Sequence, residues 1–405
     1  MAYNEKEARE LVIEAGKRLL ENGLIARTWG NVSARISDTQ FVITPSGKPY
    51  DTLTPEELVI VNIADCSYDG NIKPSSEKGI HADAYKHRAN VNFIIHTHQV
   101  RASVVGATGK PITNVPEKYR ETLGTHIPVA DYGMPSTGKL RKALEQVYIN
   151  FKDSKAFLME HHGAVCLGDD YDEAFLIAET LEELCKDVIH RAYRVFEGTA
   201  DYSRKAMIES FIRANGVGQF PKFVTDFGES EKNADGRTFT VKYKNGNEFV
   251  VDIKTCTSDS EKELPRTAMV HAEIYRNSDI TCIKHCTEIN VVGYSVLGSP
   301  IHPRLDDFAQ IAGVKIKNIP WNGSQNCARQ IAIASRGKNV ILIKGLGAIL
   351  TGKKKSDLEA VELVLSKECQ TQIGSTFFGA GYPLSAVDCN IMRTIYITKY
   401  SKKAE

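Results

Sequence analysis

No charge of one sign dominates this chain. Its 51 lysines and arginines are offset by 50 aspartates and glutamates, leaving a net charge of +1 over 405 residues. That balance argues against nucleic acid or a membrane surface as the main partner. Long hydrophobic runs are also missing. The N-terminal stretch MAYNEKEARELVIEAGKRLL is charged and amphipathic, without the apolar core of a secretory signal, and no later stretch is long and apolar enough to span a bilayer. Paired cysteine motifs are absent too. The nine cysteines are scattered, odd in number and form no CxxC. This pattern predicts reduced thiols, a cytoplasmic location and core-packing roles. What is present, 42% hydrophobic and 25% charged residues, fits a globular protein with a real core and length for two or three domains.

Apolar residues at helical spacing (Ala8, Leu11, Val12, Ala15, Leu19) predict a helix over 5–22, with Gly23 as its stop. Short alternating strands follow, cut by Gly, Asn, Asp and Pro. SSEKGIHADAYKHR reads as a helix capped by Ser75 or Ser76. A strand is expected at FIIHTH, a short helix from about Val100 to Gly106, and a strand pair turning near Gly163. A long amphipathic helix ends near Gly198. Residues 215–235, rich in Gly, Asn, Asp and charge, read as a linker between a domain at 1–214 and another at 236–405. Asn245-Gly246 signals a hairpin turn. The chain then repeats itself. IHADAYKHRANVNFIIHTH (80–98) resembles VHAEIYRNSDITCIKHC (270–286), and the strand pair and helix of 156–186 resemble 340–370.

The chemistry-bearing residues sit in the first copy. His96 and His98, at i and i+2 of a strand, project to one face and present two imidazoles to a single ion. An isolated pair of this kind is more often one packed and one solvated histidine, but three further features point to a metal. His162, in HHG at the end of an apolar strand, offers a third ligand for a tetrahedral site. Glu77 adds an acid at a helix start. The second copy carries Thr267 opposite Glu77 and Leu346 opposite His162, and keeps only His285 from the HTH pair. The loops TWGNVS (28–33), TPSG (44–47) and PSSE (74–77) expose backbone N–H groups and hydroxyls suited to cradling an anion.

GNVSAR, TPSG, PSSE, HTH and HHG, in that order, resemble the class II aldolase/adducin family of the fuculose-phosphate aldolase type, closely over residues 1–200 and weakly beyond. The resemblance implies an α/β fold: a three-layer α/β/α domain around a mixed, mostly antiparallel sheet, here duplicated in tandem with a degenerate second copy. It implies zinc, with manganese or cobalt as other occupants, on His96, His98 and His162, with Glu77 as a ligand and as the catalytic acid/base. It implies phosphate contacts at Asn31, Ser46, Gly47, Ser75 and Ser76, and a phosphorylated sugar as substrate. It also implies a homo-oligomer, completed here as a dimer with a four-domain ring. The family aldolase places a tyrosine near position 117; here Glu117 stands there, with Tyr119 close by. The expected reaction is reversible cleavage of a ketose 1-phosphate to dihydroxyacetone phosphate and an aldehyde. Epimerase, decarboxylase or dehydratase chemistry on the same metal, and a non-catalytic adducin-like scaffold, are the alternatives.

Overall fold

The computed structural model describes residues 2–25 and 29–400. Thr28, the first residue of TWGNVS, lies outside them. The first half is built on seven strands: β1 (Asn31–Arg35), β2 (Gln40–Ile43), β3 (Val59–Asn62), β4 (Phe93–Thr97), β5 (Val129–Ala130), β6 (Ala156–Met159) and β7 (Ala164–Gly168). They lie in the order β3-β2-β1-β4-β7-β6-β5. Every neighbouring pair is antiparallel except β5 with β6. The second half repeats the plan with β8 (Glu229–Lys232), β9 (Thr238–Lys242), β10 (Glu248–Asp252), β11 (Cys282–Cys286), β12 (Asn318–Ile319), β13 (Val340–Ile343) and β14 (Gly347–Gly352). Its order is β10-β9-β8-β11-β14-β13-β12. The tandem α/β/α architecture expected from the sequence is therefore present.

Helices cover both faces of the sheet centres, so β4, β6 and β7, and β13 and β14, are buried along their whole length, whereas β9 and β10 alternate buried and more exposed residues. On β4, Phe93 and Ile95 join one core with the helices Glu5–Glu21 and Tyr171–Glu197, while Ile94 joins the opposite core with Lys78–His87 and Gly138–Asn150. By the same alternation His96 follows Ile94 to the face of the helix Lys78–His87. That helix starts at Lys78 with Glu77 at its cap position, two residues or one beyond the expected caps Ser75 and Ser76. The long helix ends at Gly198, in a left-handed conformation, as expected. Asn245-Gly246 joins β9 to β10, with Gly246 at φ +83°.

The expected boundaries shift. β8 lies inside the stretch read as a linker and pairs with β9 and β11. Only Ser230 of its four residues is buried, so it carries no apolar alternation to reveal a strand. The helix Arg204–Ala214, expected with the first half, buries Ile208, Phe211 and Ile212 in the core of the second. The halves meet closely: the helix Lys355–Thr376 packs on the helix Val100–Gly106. A Cβ on Gly374 would lie 2.6 Å from Val104 Cγ1, so this approach needs glycine. All nine cysteines are free, and all but Cys66 and Cys256 are buried. Among the described residues no helix is long and apolar enough to cross a membrane.

Candidate metal centre

β4 is the central strand, paired on one side to β1 and on the other to β7. His96 stands opposite Asn31 and Val165. His98 follows the last strand residue, its N–H held by Leu24 O at 3.2 Å. His162 sits in the turn between β6 and β7. That turn is tight: Met159 N–H donates to Gly163 O, and His162 N–H to Met159 O. His161 takes φ +62°, a strained conformation for a residue with a side chain. A Cβ on Gly163 would lie 2.1 Å from Thr97 O, so the glycine of HHG lets the turn close against β4.

The three imidazoles converge, buried, with ligand nitrogens all within 4.8 Å of one another. His96 Nε2 and His162 Nε2 are 3.1 Å apart. Glu77 joins them, Oε2 at 3.4 Å from His96 Nε2 and Oε1 at 3.3 Å from His162 Nε2. Ligand atoms bound tetrahedrally at zinc distances are spaced about 3.3–3.4 Å apart. The ring hydrogen bonds decide which nitrogens face inward. His96 Nδ1 donates to the carbonyl of Ala164 at 2.9 Å. His98 Nδ1 faces Asp307 Oδ2 at 3.3 Å, and His162 Nδ1 faces Asp306 Oδ2. Neutral rings with Nδ1–H turned outward leave the Nε2 lone pairs of His96 and His162 facing each other. Such a pair is repulsive unless a cation or a proton lies between. The donor set therefore fits a divalent ion.

The electrostatics agree. Burial holds His96 well below the ordinary histidine range, with the neighbouring imidazoles adding to it and Glu77 opposing. Burial also lowers His98, against Asp307. For His162 burial acts downward, but Asp306 and Glu77 outweigh it and lift the ring to about 10. Burial opposes ionisation of Glu77, yet the three imidazoles outweigh it and hold the carboxyl far below its usual range. Burial and the close approach of these groups to one another thus shift all four together.

A polar chain supports Glu77 from behind. Asn31 Nδ2 donates to Glu77 Oε2 at 3.0 Å, and Asn31 Oδ1 meets His81 Nε2. His81 Nδ1 lies 2.7 Å from Ser33 Oγ, itself 2.8 Å from Tyr85 Oη. Burial pulls His81 down to about 3, so it is neutral and donates to Asn31. His81 belongs to no short motif, and its counterpart His271 makes the same serine contact in the second half.

The loops TPSG and PSSE come together. Pro45 bridges Pro74, and Ser46 N–H donates to Lys73 O at 2.9 Å, so TPSG and PSSE run side by side. Gly47 turns there at φ +75°. Ser75 Oγ accepts from Glu77 N–H at 3.2 Å. Ser76 Oγ accepts from Ser136 at 2.8 Å, and these two line a cavity of about 230 Å³ with Glu77, Thr137 and Arg141. Of the predicted phosphate set, Asn31 donates one Nδ2–H to Glu77.

Glu117 and Tyr119 are not brought to the imidazoles. They lie on the helix Glu117–Leu123, where Tyr119 Oη donates to Asp187 Oδ2 at 2.8 Å. One counterpart in the second half does arrive. The isolated bridges Ile112–Ile127 and Ile301–Ile316 occupy equivalent places in the two halves. Counted from them, Glu117 falls opposite Asp306 and Tyr119 opposite Phe308. Asp306 and Asp307 begin the helix Asp306–Ala312, and Lys367 pairs with Asp307 while its Nζ lies 3.4 Å from His98 O. No local motif flags these residues; only the packing of the halves brings them in.

The equivalent corner of the second half is closed. Strand register sets His285 opposite Ile349, as His96 stands opposite Val165. Thr267 caps the helix Ala268–Arg276 where Glu77 caps its equivalent, and Leu346 occupies the turn position of His162. His285 Nε2 donates to Leu346 O at 2.7 Å and Nδ1 accepts from Phe227 N–H at 3.2 Å, leaving neither nitrogen for an ion.

Known proteins resemble this chain. An L-fuculose phosphate aldolase of Haemophilus influenzae is 31% identical over 181 residues, 45% of this chain and 82% of its own length. A 5-deoxy-D-ribulose 1-phosphate aldolase of Bacillus thuringiensis is 29% identical over 193 residues, 47% of this chain and 88% of its own. A solved L-fuculose 1-phosphate aldolase is 27% identical, with a TM-score of 0.42, covering 47% of this chain and 88% of that one. The family described as class II aldolase and adducin N-terminal domain matches residues 10–189 and again 240–373. With both halves matched, the chain belongs to the class II aldolase and adducin family.

Proposed function

We propose that the protein is a metal-dependent aldolase that reversibly cleaves a ketose 1-phosphate into dihydroxyacetone phosphate and an aldehyde. The observation that carries this reading is the convergence of His96, His98 and His162 with Glu77 at their shared centre. The names of its relatives, aldolases of L-fuculose phosphate and 5-deoxy-D-ribulose 1-phosphate, support the substrate class. Zinc, or manganese or cobalt in its place, would be held by the three imidazoles, with Glu77 as a further ligand at rest. Bound there, it supplies Lewis-acid stabilisation of the negative charge left on the ketose fragment when the carbon–carbon bond breaks.

The protein's own groups do the rest. Neutral imidazoles leave the charge of the centre available to substrate oxygens. Glu77, ionised at rest and steered by Asn31, would take up the proton released from the hydroxyl that becomes the aldehyde carbonyl and pass it to the carbon of the departing fragment in cleavage, with the reverse transfer in condensation. The paired loops at Ser46–Gly47 and Ser75–Ser76 hold the phosphate so that the reacting carbons stay at the centre. A carboxylate in place of an imidazole would weaken this arrangement by partly neutralising the charge.

The second half serves as a partner rather than a second catalyst. Its contact with the first is heterologous: the helix Asp306–Ala312 meets the first half's imidazoles, whereas its equivalent Glu117–Leu123 packs on the first half's own long helix. Such an interface is unmatched within one chain, and a head-to-tail pair of chains would close it into a ring. Sedimentation of the purified chain at twice its monomer mass would agree with this.

The test of function is to load the protein with zinc, offer a panel of ketose 1-phosphates, and assay dihydroxyacetone phosphate. Triose phosphate formation that disappears in H96A is expected. Epimerised, decarboxylated or dehydrated product without triose phosphate would assign a different reaction to the same centre.

A further inference from the structure

The metal centre is assembled from both halves of the chain. Two of the three inward-facing imidazoles take their outer hydrogen bond from the second half: His162 from Asp306, and His98 from Asp307. Only His96 is oriented from within its own half, by Ala164 O. We propose that Asp306 and Asp307 are positioning residues of the metal centre, fixing the Nδ1–H tautomer and ring orientation of His162 and His98 so that both present Nε2 inward. This rests on the reading of His96, His98 and His162 as a metal centre.

Three observations carry it. First, the carboxylates are not needed to hold the halves together at this point. Asp306 N–H already donates to His161 O at 3.0 Å, and His161 Nδ1 bonds Arg304 O at 2.7 Å. The backbone is pinned independently, and the side chains are left to meet the imidazoles. Second, the segment is held from behind. Glu368 accepts from the N–H groups of Arg304 and Leu305 at 3.0 and 3.1 Å, and from Gln372 at 2.7 Å. A carboxylate that sets a ring orientation must itself be fixed. Third, the burial is complete enough to matter. Asp306 and Asp307 are 0% and 1% exposed. A buried carboxylate needs a hydrogen-bonded partner, and the imidazole N–H supplies one. The two are not equivalent. Lys367 pairs with Asp307 and offsets its charge, whereas no lysine or arginine pairs with Asp306 among the described residues. Asp306 therefore makes His162 the more strongly donating ligand.

The experiment uses the full chain, stripped of metal. Zinc affinity is measured by competition with a chromogenic chelator, and the geometry of the centre by visible absorption of the Co2+-loaded protein. Variants are D306A, D306N, D307A and D307N. Loss of either carboxylate is expected to weaken zinc binding about 10–100-fold, more for D306A than for D307A, and to shift the Co2+ bands. D306N keeps the shape and an acceptor but not the charge, and is expected to fall between wild type and D306A. The Asn variants also carry the test if an Ala variant fails to fold, which far-UV circular dichroism of the apo protein reports. Unchanged zinc affinity and an unchanged Co2+ spectrum in folded D306N and D307N would overturn the proposal. A wild type that binds neither ion would instead remove the metal-centre reading on which it stands.

Discussion

The two halves share a sheet order, a helix plan and one polar device, and differ in nearly every residue at the place where the imidazoles converge. In the first half Ser33, His81 and Tyr85 form a buried chain; in the second Ser230, His271 and Tyr275 form the same chain, with Oγ to Nδ1 at 2.7 Å in both. That chain is retained because it fastens the helix to its sheet, a demand both halves face. The ligands are another matter. Glu77, His98 and His162 have no chemical equivalent opposite them, and the surviving His285 has both nitrogens tied to backbone. What the second half offers instead is Asp306, Asp307 and Lys367, delivered to its neighbour. On the function proposed above, one copy holds the ion and the other braces it.

This comparison is most sharply broken at the ligands. H162A is expected to abolish zinc binding and to lower turnover by about a thousandfold or more, whereas H285A in the second half should leave metal content and turnover unchanged; metal analysis with the aldol assay checks both. Next comes the acid. E77Q should retain most of the zinc but lose about 10²–10⁴-fold in kcat, since the positioned proton carrier is gone. Its opposite number, T267S, should change neither quantity. A third test removes the second half. A chain ending near residue 214 should bind zinc poorly even if it stays in solution, because Asp306 and Asp307 are lost and the helix Val100–Gly106 is uncovered. Full zinc affinity and turnover in that truncated chain would erase the division of labour.

The smallest expected effect sharpens the shared device. Burial lowers His271 from 6.5 to about 4. The unfolded chain therefore binds more protons than the folded one between those values. Its contribution to stability is complete above pH 6.5 and is lost as pH falls toward 4, by about 1.4 kcal/mol per pH unit for one group. H271Q should flatten the acid limb of the stability curve, measured by urea unfolding across pH, and leave kcat untouched. H81Q should flatten it too, but should also reduce kcat, because His81 steadies Asn31 and through it Glu77.

Much of the site was legible before any fold was known, and the reason is local. HTH, HHG and PSSE each place their residues through one strand, one turn or one helix start, so spacing alone carries their geometry. The register of His285 was open in the sequence and closed by strand pairing. β8 was hidden because a strand whose sequence is ESEK, with one buried residue, has no apolar pattern. Glu117 occupies the equivalent position in the first copy, and its counterpart Asp306 is the residue that meets the imidazoles within this chain.

By itself, the sequence determined the duplicated α/β plan and pointed to the four first-half groups that converge, because periodicity and short-range spacing follow from bond geometry within single elements. Only the tertiary structure decided which carboxylates orient those groups. Asp306 and Asp307 lie more than a hundred residues from His162 and His98, and their meeting depends on how the helix Lys355–Thr376 seats on Val100–Gly106. Contacts of that kind arise from the fit of two packed surfaces, which no local pattern encodes.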